Sequence, residues 1–107
     1  MIQNCNKKNN PQIEILSDFL KIISEENRLR IICFLLKNEE QCVCEIWKFL
    51  DLSQNLTSHH LKVLKDIGLL ESRKVGQKVC YCVDQTKLLE YKELFNQILD
   101  KTIISRK

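Results

Sequence analysis

Leu52–Leu70 reads LSQNLTSHHLKVLKDIGLL, and the fold turns on how that stretch is parsed. Ser53 offers a side-chain acceptor of the kind that caps a helix start. Leu56, Leu61, Leu64 and Ile67 then recur at spacings that put them on one buried face. Gly68 is suited to the left-handed residue that ends a helix. A helix from Ser53 to about Ile67 follows. Just before it, residues from about Cys42 to Leu50 predict a short helix with Ile46, Phe49 and Leu50 inward, broken at Asp51-Leu52-Ser53. Just after it the apolar rhythm changes to period two. Leu69 to Val75, a turn at Gly76, and Gln77 to Val83 predict a β-hairpin with Val79, Tyr81 and Val83 on one face. Short helix, tight turn, longer helix and hairpin make a helix-turn-helix with a wing.

The flanks are helical. Ile13, Leu16, Leu20 and Ile23 form one stripe between Gln12 and Ile23, and Ile15, Phe19 and Ile22 form a second beside it, so this helix needs cover on two sides. Ser24 is the expected cap of a helix from Glu25 to Lys37, with Leu29, Ile32, Cys33 and Leu36 facing one way. From Thr86 onward Leu88, Tyr91, Leu94, Phe95, Ile98, Leu99 and Thr102 predict a closing amphipathic helix. The fold class is mostly α with a β-hairpin wing: four helices, two strands and a fifth helix. Residues 1–11, polar and Asn-rich, read as a flexible N-terminal arm, and 12–107 as the winged helix-turn-helix domain.

Composition agrees. The 107 residues suffice for one domain with its own core. With 44% hydrophobic residues, only two Gly and one Pro, the chain should be compact and helical. The net charge of +3 leans gently toward a polyanion partner. The N-terminus has no apolar signal-peptide core, and the longest apolar run, Ile31 to Leu36, is too short to span a bilayer, so no membrane role and a cytoplasmic location are expected. There the six cysteines, Cys5, Cys33, Cys42, Cys44, Cys80 and Cys82, are expected as free thiols.

The second helix of a helix-turn-helix aims its N-terminal residues into the major groove. With Leu56 and Leu61 assigned to the core, the outward residues are Gln54, Asn55, Ser58, His59 and Lys62. Gln and Asn can pair bidentately with adenine, Ser and His can reach bases or phosphates, and Lys62 suits a phosphate. Ser53 sets helix amides against the DNA backbone. Arg73, Lys74 and Lys78 make the wing basic. His59 and His60 diverge on a helix and have no partner at metal-binding spacing, so His59 is expected to face DNA and His60 to be a satisfied, half-buried side chain.

Three stretches together resemble the ArsR/SmtB family of metal-responsive winged-helix repressors: Glu26-Asn27-Arg28-Leu29-Arg30-Ile31-Ile32, Cys42-Val43-Cys44-Glu45-Ile46, and Leu52 to Leu61 with Gly68-Leu69-Leu70. The resemblance runs from about Ile13 to Leu99. It implies a homodimer packed through the first and last helices, bound to double-stranded operator DNA with two half-sites. It also makes Cys42 and Cys44 an inducer site. Arsenite-responsive members often carry a further cysteine where this chain has Trp47, and cadmium- and lead-responsive members draw thiols from an N-terminal arm, which makes Cys5 the expected third ligand. The family's zinc site of Asp and His on the last helix is excluded, because that helix has no His.

Three thiolates select a soft ion. Cys42 and Cys44 sit at a helix mouth, where the dipole favours thiolate. As(III) or Sb(III) is the first expectation for the inducer and Cd(II) or Pb(II) the second, with no permanent cofactor. Cys80 and Cys82 share a strand face opposite Val79, Tyr81 and Val83 and read as tolerated half-exposed residues, and Cys33 reads as packing. An alternative makes the thiols a sensor of oxidants or persulfide. An enzyme is not expected, since no Cys-x-x-Cys is present and both histidines lie in the recognition helix.

Overall fold

The computed structural model describes residues 10–104, with side chains through Leu99. Cys5, and the arm as far as residue 9, lie outside the described residues. Asn10 caps the first helix by accepting the amides of Gln12 and Ile13. Pro11 fits the first helical position, where a missing N–H costs nothing. The helix therefore starts at Pro11, and α1 spans Pro11–Ile23. It is followed by α2 (Glu26–Asn38), β1 (Gln41–Cys42), α3 (Val43–Leu50), α4 (Gln54–Asp66), β2 (Leu70–Val75), β3 (Lys78–Val83) and α5 (Gln85–Ile104).

The caps decide the boundaries. Ser24 does not start α2. It closes α1, its amide donating to the Leu20 carbonyl and its hydroxyl to that of Lys21. The cap of α2 is Glu25, whose carboxylate accepts the Arg28 amide at 3.0 Å. Ser53 does cap α4, accepting from the Leu56 amide at 3.1 Å. Gly68 follows α4 with φ +85, as the stop requires.

The wing is the expected hairpin, with Leu70 opposite Val83 and Ser72 opposite Tyr81. A third strand was not expected. β1 pairs antiparallel with β3, Gln41 against Tyr81 and Cys42 against Cys80, giving the order β1-β3-β2. Two residues are too short to show an alternation, so only the partner strand reveals them. This strand ties the start of α3 to the wing.

The core collects Leu16 and Phe19 of α1, Ile31, Ile32 and Leu35 of α2, Ile46 and Leu50 of α3, Leu61 and Leu64 of α4, and Leu69 and Leu70. Five expected core positions move outward. On α2 the Ile31 and Leu35 side faces in, which leaves Leu29, Cys33 and Leu36 exposed while Ile32 is shared by both stripes. Cys33 is thus not a packing residue. Phe49 is 47% exposed and stacks on Phe34 with ring centroids 4.2 Å apart. Leu56 is 42% exposed, because buried Thr57 takes the inner position of that turn.

α5 packs back on this core. Tyr91 stacks on Phe19 at 4.0 Å and its hydroxyl donates to the Ile67 carbonyl at 3.3 Å. Beyond that contact α1 and α5 present Ile15, Leu20, Leu89, Phe95 and Leu99 to solvent.

Thr57 is fully buried, and among the described residues its hydroxyl has no hydrogen-bond partner. A buried hydroxyl left unpaired costs about 1–3 kcal/mol. Thr57→Val, which keeps the shape, should raise unfolding free energy by about 1 kcal/mol, read from the urea midpoint at unchanged m-value. An unchanged or lower midpoint would show that the hydroxyl is satisfied.

Candidate thiol site and nucleic-acid interface

Cys42 is the last residue of β1 and the N-cap of α3, with φ −78 and ψ 160, while Cys44 already lies in the first helical turn. On a regular helix residues two apart point in nearly opposite directions. The change from strand to helix at Cys42 removes that obstacle, and the two sulfurs approach to 2.6 Å. The helix mouth thus does what the sequence required of it.

The two thiols are not equivalent. Hydrogen bonding with Cys44 holds the Cys42 thiol below its ordinary value; burial opposes this, and the Glu45 and Cys44 amides and the Lys78 ammonium reinforce it. The same contact raises Cys44, with burial adding to the rise. The contact thus favours ionisation of Cys42 over Cys44. The Glu45 carboxylate completes a group of three ligand atoms within 4.8 Å of one another.

Beside the thiols lies an open cavity of about 410 Å³. Val43 and the wing residues Gln77, Lys78, Val79 and Tyr81 form part of its wall, and Gln54 and Ser58 of α4 form the rest. The sulfurs and two of the expected groove-reading side chains therefore border one space. Sequence reasoning missed Gln77, Val79 and Tyr81 as neighbours of the thiols, since the short strand that brings the wing there carried no signal of its own, and it gave the adjacent Glu45 no ligand role.

Cys80 is the register partner of Cys42 but is not part of the clustered ligand group. Cys80 and Cys82 are half-buried, and burial, more than any other influence, pushes Cys82 up. The surroundings thus disfavour ionisation of Cys82, the opposite of their effect on Cys42.

The expected DNA surface is exposed throughout. Ser53, Gln54, Asn55, Ser58 and His59 crowd the first turns of α4, with Lys62 one turn on, paired with Asp66 at 3.2 Å. Lys74 and Lys78 stand on the exposed wing. Arg73 is already engaged: its Nε and Nη2 each donate at 2.7 Å to the Glu40 carboxylate, which this contact holds below its usual range. His60 is buried, and its Nδ1 accepts from Arg28 Nε at 3.1 Å, the satisfied role expected for it. Among the described residues no helix is long and apolar enough to cross a membrane.

A short helix, a tight turn, a longer helix with an exposed polar face and a basic hairpin define a winged helix-turn-helix protein of the nucleic-acid-binding class, here with a thiol pair at the wing's root. Residues 25–72 match the family model described as bacterial regulatory protein, arsR family. The chain belongs to the ArsR family, a family of DNA-binding transcriptional regulators. It is 38% identical over 85 residues to the arsenical resistance operon repressor of Staphylococcus xylosus, covering 79% of this chain and 77% of that protein. It is 44% identical over 79 residues to the cadmium resistance transcriptional regulatory protein CadC of Listeria innocua, covering 74% of this chain and 66% of the relative. Among solved structures, HlyU from Vibrio cholerae superposes with a TM-score of 0.65 at 36% identity, covering 86% of this chain and 96% of that one.

Proposed function

We propose that the protein is a homodimeric transcriptional repressor that binds double-stranded operator DNA at two half-sites and releases it when its thiols bind As(III) or Sb(III). Cys42 and Cys44 are the core of that site and Cys5 supplies the third thiolate. The observation that carries the reading is the shared cavity: an ion held by Cys42 and Cys44 borders Gln54 and Ser58, the residues expected to meet base edges. Ligand that favours a different placement of α4 then weakens DNA binding by a coupling free energy, about 1–3 kcal/mol in typical cases. The exposed apolar row on α1 and α5 supports a dimer through these helices.

Cd(II) or Pb(II) is the second reading, and two observations favour it: the similarity to a cadmium resistance regulator, and the Glu45 carboxylate, which offers a fourth, oxygen donor beside the two sulfurs. Operator binding followed by fluorescence anisotropy, with arsenite, antimonite, cadmium, lead, zinc and peroxide added in turn, decides between them. Release by arsenite at lower concentration than by cadmium or lead supports the first reading. Release by peroxide alone would turn the thiols into an oxidant sensor.

The wing gives a separate test of the DNA face. Glu40 neutralises Arg73, so Glu40→Gln frees a guanidinium for phosphate. The variant should bind operator several-fold tighter, with a salt dependence steeper by about one unit in log K against log salt. An unchanged salt slope would mean that Arg73 stays away from the DNA backbone.

A further inference from the structure

Glu40 lies two residues before Cys42, in the link between α2 and β1. Its carboxylate reaches across the sheet: Arg73 Nε and Nη2 each donate to it at 2.7 Å, and Arg73 belongs to β2, on the far side of β3 from β1. The register explains the reach. Cys42 is the partner of Cys80 and Cys80 of Arg73, so the three residues form one row across one face of the sheet. The ion pair thus joins the strand that carries the first thiol to the wing strand that carries a guanidinium expected to meet DNA.

The link before it is strained. Glu39 holds φ 62 and ψ −97, a conformation that a residue with a Cβ takes only when its surroundings impose it. Two contacts that follow it in the chain do so here: the pairing of β1 with β3 and the fork of Arg73 on Glu40. Both are slight. β1 has two residues, and an ion pair to a side chain 68% exposed adds little to stability. A pair that does little for the fold can exchange its partner, and a DNA phosphate offers Arg73 the same two-oxygen acceptor. The Nε–Nη2 edge holds one of them at a time.

We infer that Glu40 is a positioning residue for DNA binding and the route by which the thiols act on the wing. When operator binds, phosphate takes Arg73 from Glu40 and the strained link relaxes. An ion that bridges Cys42 and Cys44 fixes the junction of β1 with α3, the geometry from which Glu40 reaches Arg73. The loaded protein therefore keeps the guanidinium on the carboxylate and off the DNA backbone. Ligand and operator then favour opposite states of one contact, which is what coupling between two sites requires. The inference rests on the thiol pair being the inducer site and adds how that site is read.

The test compares wild type with Glu40→Gln, Arg73→Gln and the double variant, each as the full chain, in operator anisotropy with and without arsenite and, in parallel, cadmium. All four should still take up arsenite in the absence of DNA. On loading, wild type should lose operator affinity by a factor at least about threefold larger than either single variant does. The double variant should match the single ones, because both substitutions remove the same contact. A second readout needs no ligand: hydrogen exchange of the amides of residues 39–42 should quicken when operator binds to empty wild type, and should already be fast in free Glu40→Gln. A loss on loading as large in Glu40→Gln or Arg73→Gln as in wild type would overturn the inference, as would additive effects in the double variant or exchange that operator leaves unchanged. Each of these leaves the repressor reading standing. Failure of arsenite and cadmium alike to release operator from wild type overturns both.

Discussion

Cys42→Ser should bind operator as tightly as the native protein and no longer release it on addition of arsenite. The loss is expected to be complete for the coupling, a factor of about 5–150 in operator affinity between empty and loaded protein. Cys42 carries the larger share because its surroundings favour ionisation, and thiolate is the form that binds arsenic. Cys44→Ser should lose the response as well, since it breaks the pair of sulfurs that the helix mouth brings together. Neither loss can be blamed on misfolding at position 42: the residue is an N-cap without a side-chain cap bond, and serine is a preferred N-cap, so Cys42→Ser should unfold at an equal or higher urea concentration. Anisotropy with labelled operator, with and without arsenite, measures the effect. A Cys42→Ser protein that still releases operator on arsenite addition would remove the thiol pair from the mechanism.

The recognition helix was legible because its signals are local: a serine cap, a leucine face and a stopping glycine, each readable within a few residues. The thiol pair was legible for the opposite reason, as a spacing that no regular helix can use. What stayed hidden depends on long-range pairing. Nothing in Gln41-Cys42 announces a strand until β3 lies beside it, and with that strand unknown Gln77, Val79 and Tyr81 could not be placed around the sulfurs. Period alone also failed on α2, which is apolar on two faces. Leu29, Cys33 and Leu36 fit a helical stripe as well as Ile31 and Leu35 do, and only packing against α3, α4 and the wing selects the second set. The ion pair of Glu40 with Arg73 joins residues 33 apart and left no trace in sequence either.

Arg28→Ala is expected to destabilise the fold by about 2–3 kcal/mol, because it strips partners from two groups at once. Arg28 Nη1 donates to the Ile22 carbonyl at 3.2 Å and its Nε to buried His60 Nδ1 at 3.1 Å, so one guanidinium fastens the end of α1 and the middle of α4 to the start of α2. The geometry also fixes the histidine's state. Nδ1 can accept only while it is unprotonated, which puts the proton on Nε2 and keeps the ring neutral. Burial holds His60 below its ordinary value of 6.5; Glu25 opposes the shift, and Arg28 and His59 add to it. The folded protein therefore binds fewer protons here than the unfolded chain. Stability is full above the unfolded value near 6.5, falls as pH drops below it, and stops falling below the lowered folded value. Urea midpoints from pH 8 to 5 should be flat above about 6.5 and decline beneath it. In His60→Gln, whose amide oxygen can still accept from Arg28, that decline should shrink while the midpoint at pH 8 stays near native. The acid-sensitive contact sits on α4 itself, one residue after His59, so operator binding should weaken over the same interval and regain pH tolerance in His60→Gln. A decline of equal size in His60→Gln would assign the acid sensitivity to other groups and leave Arg28 a purely structural clamp.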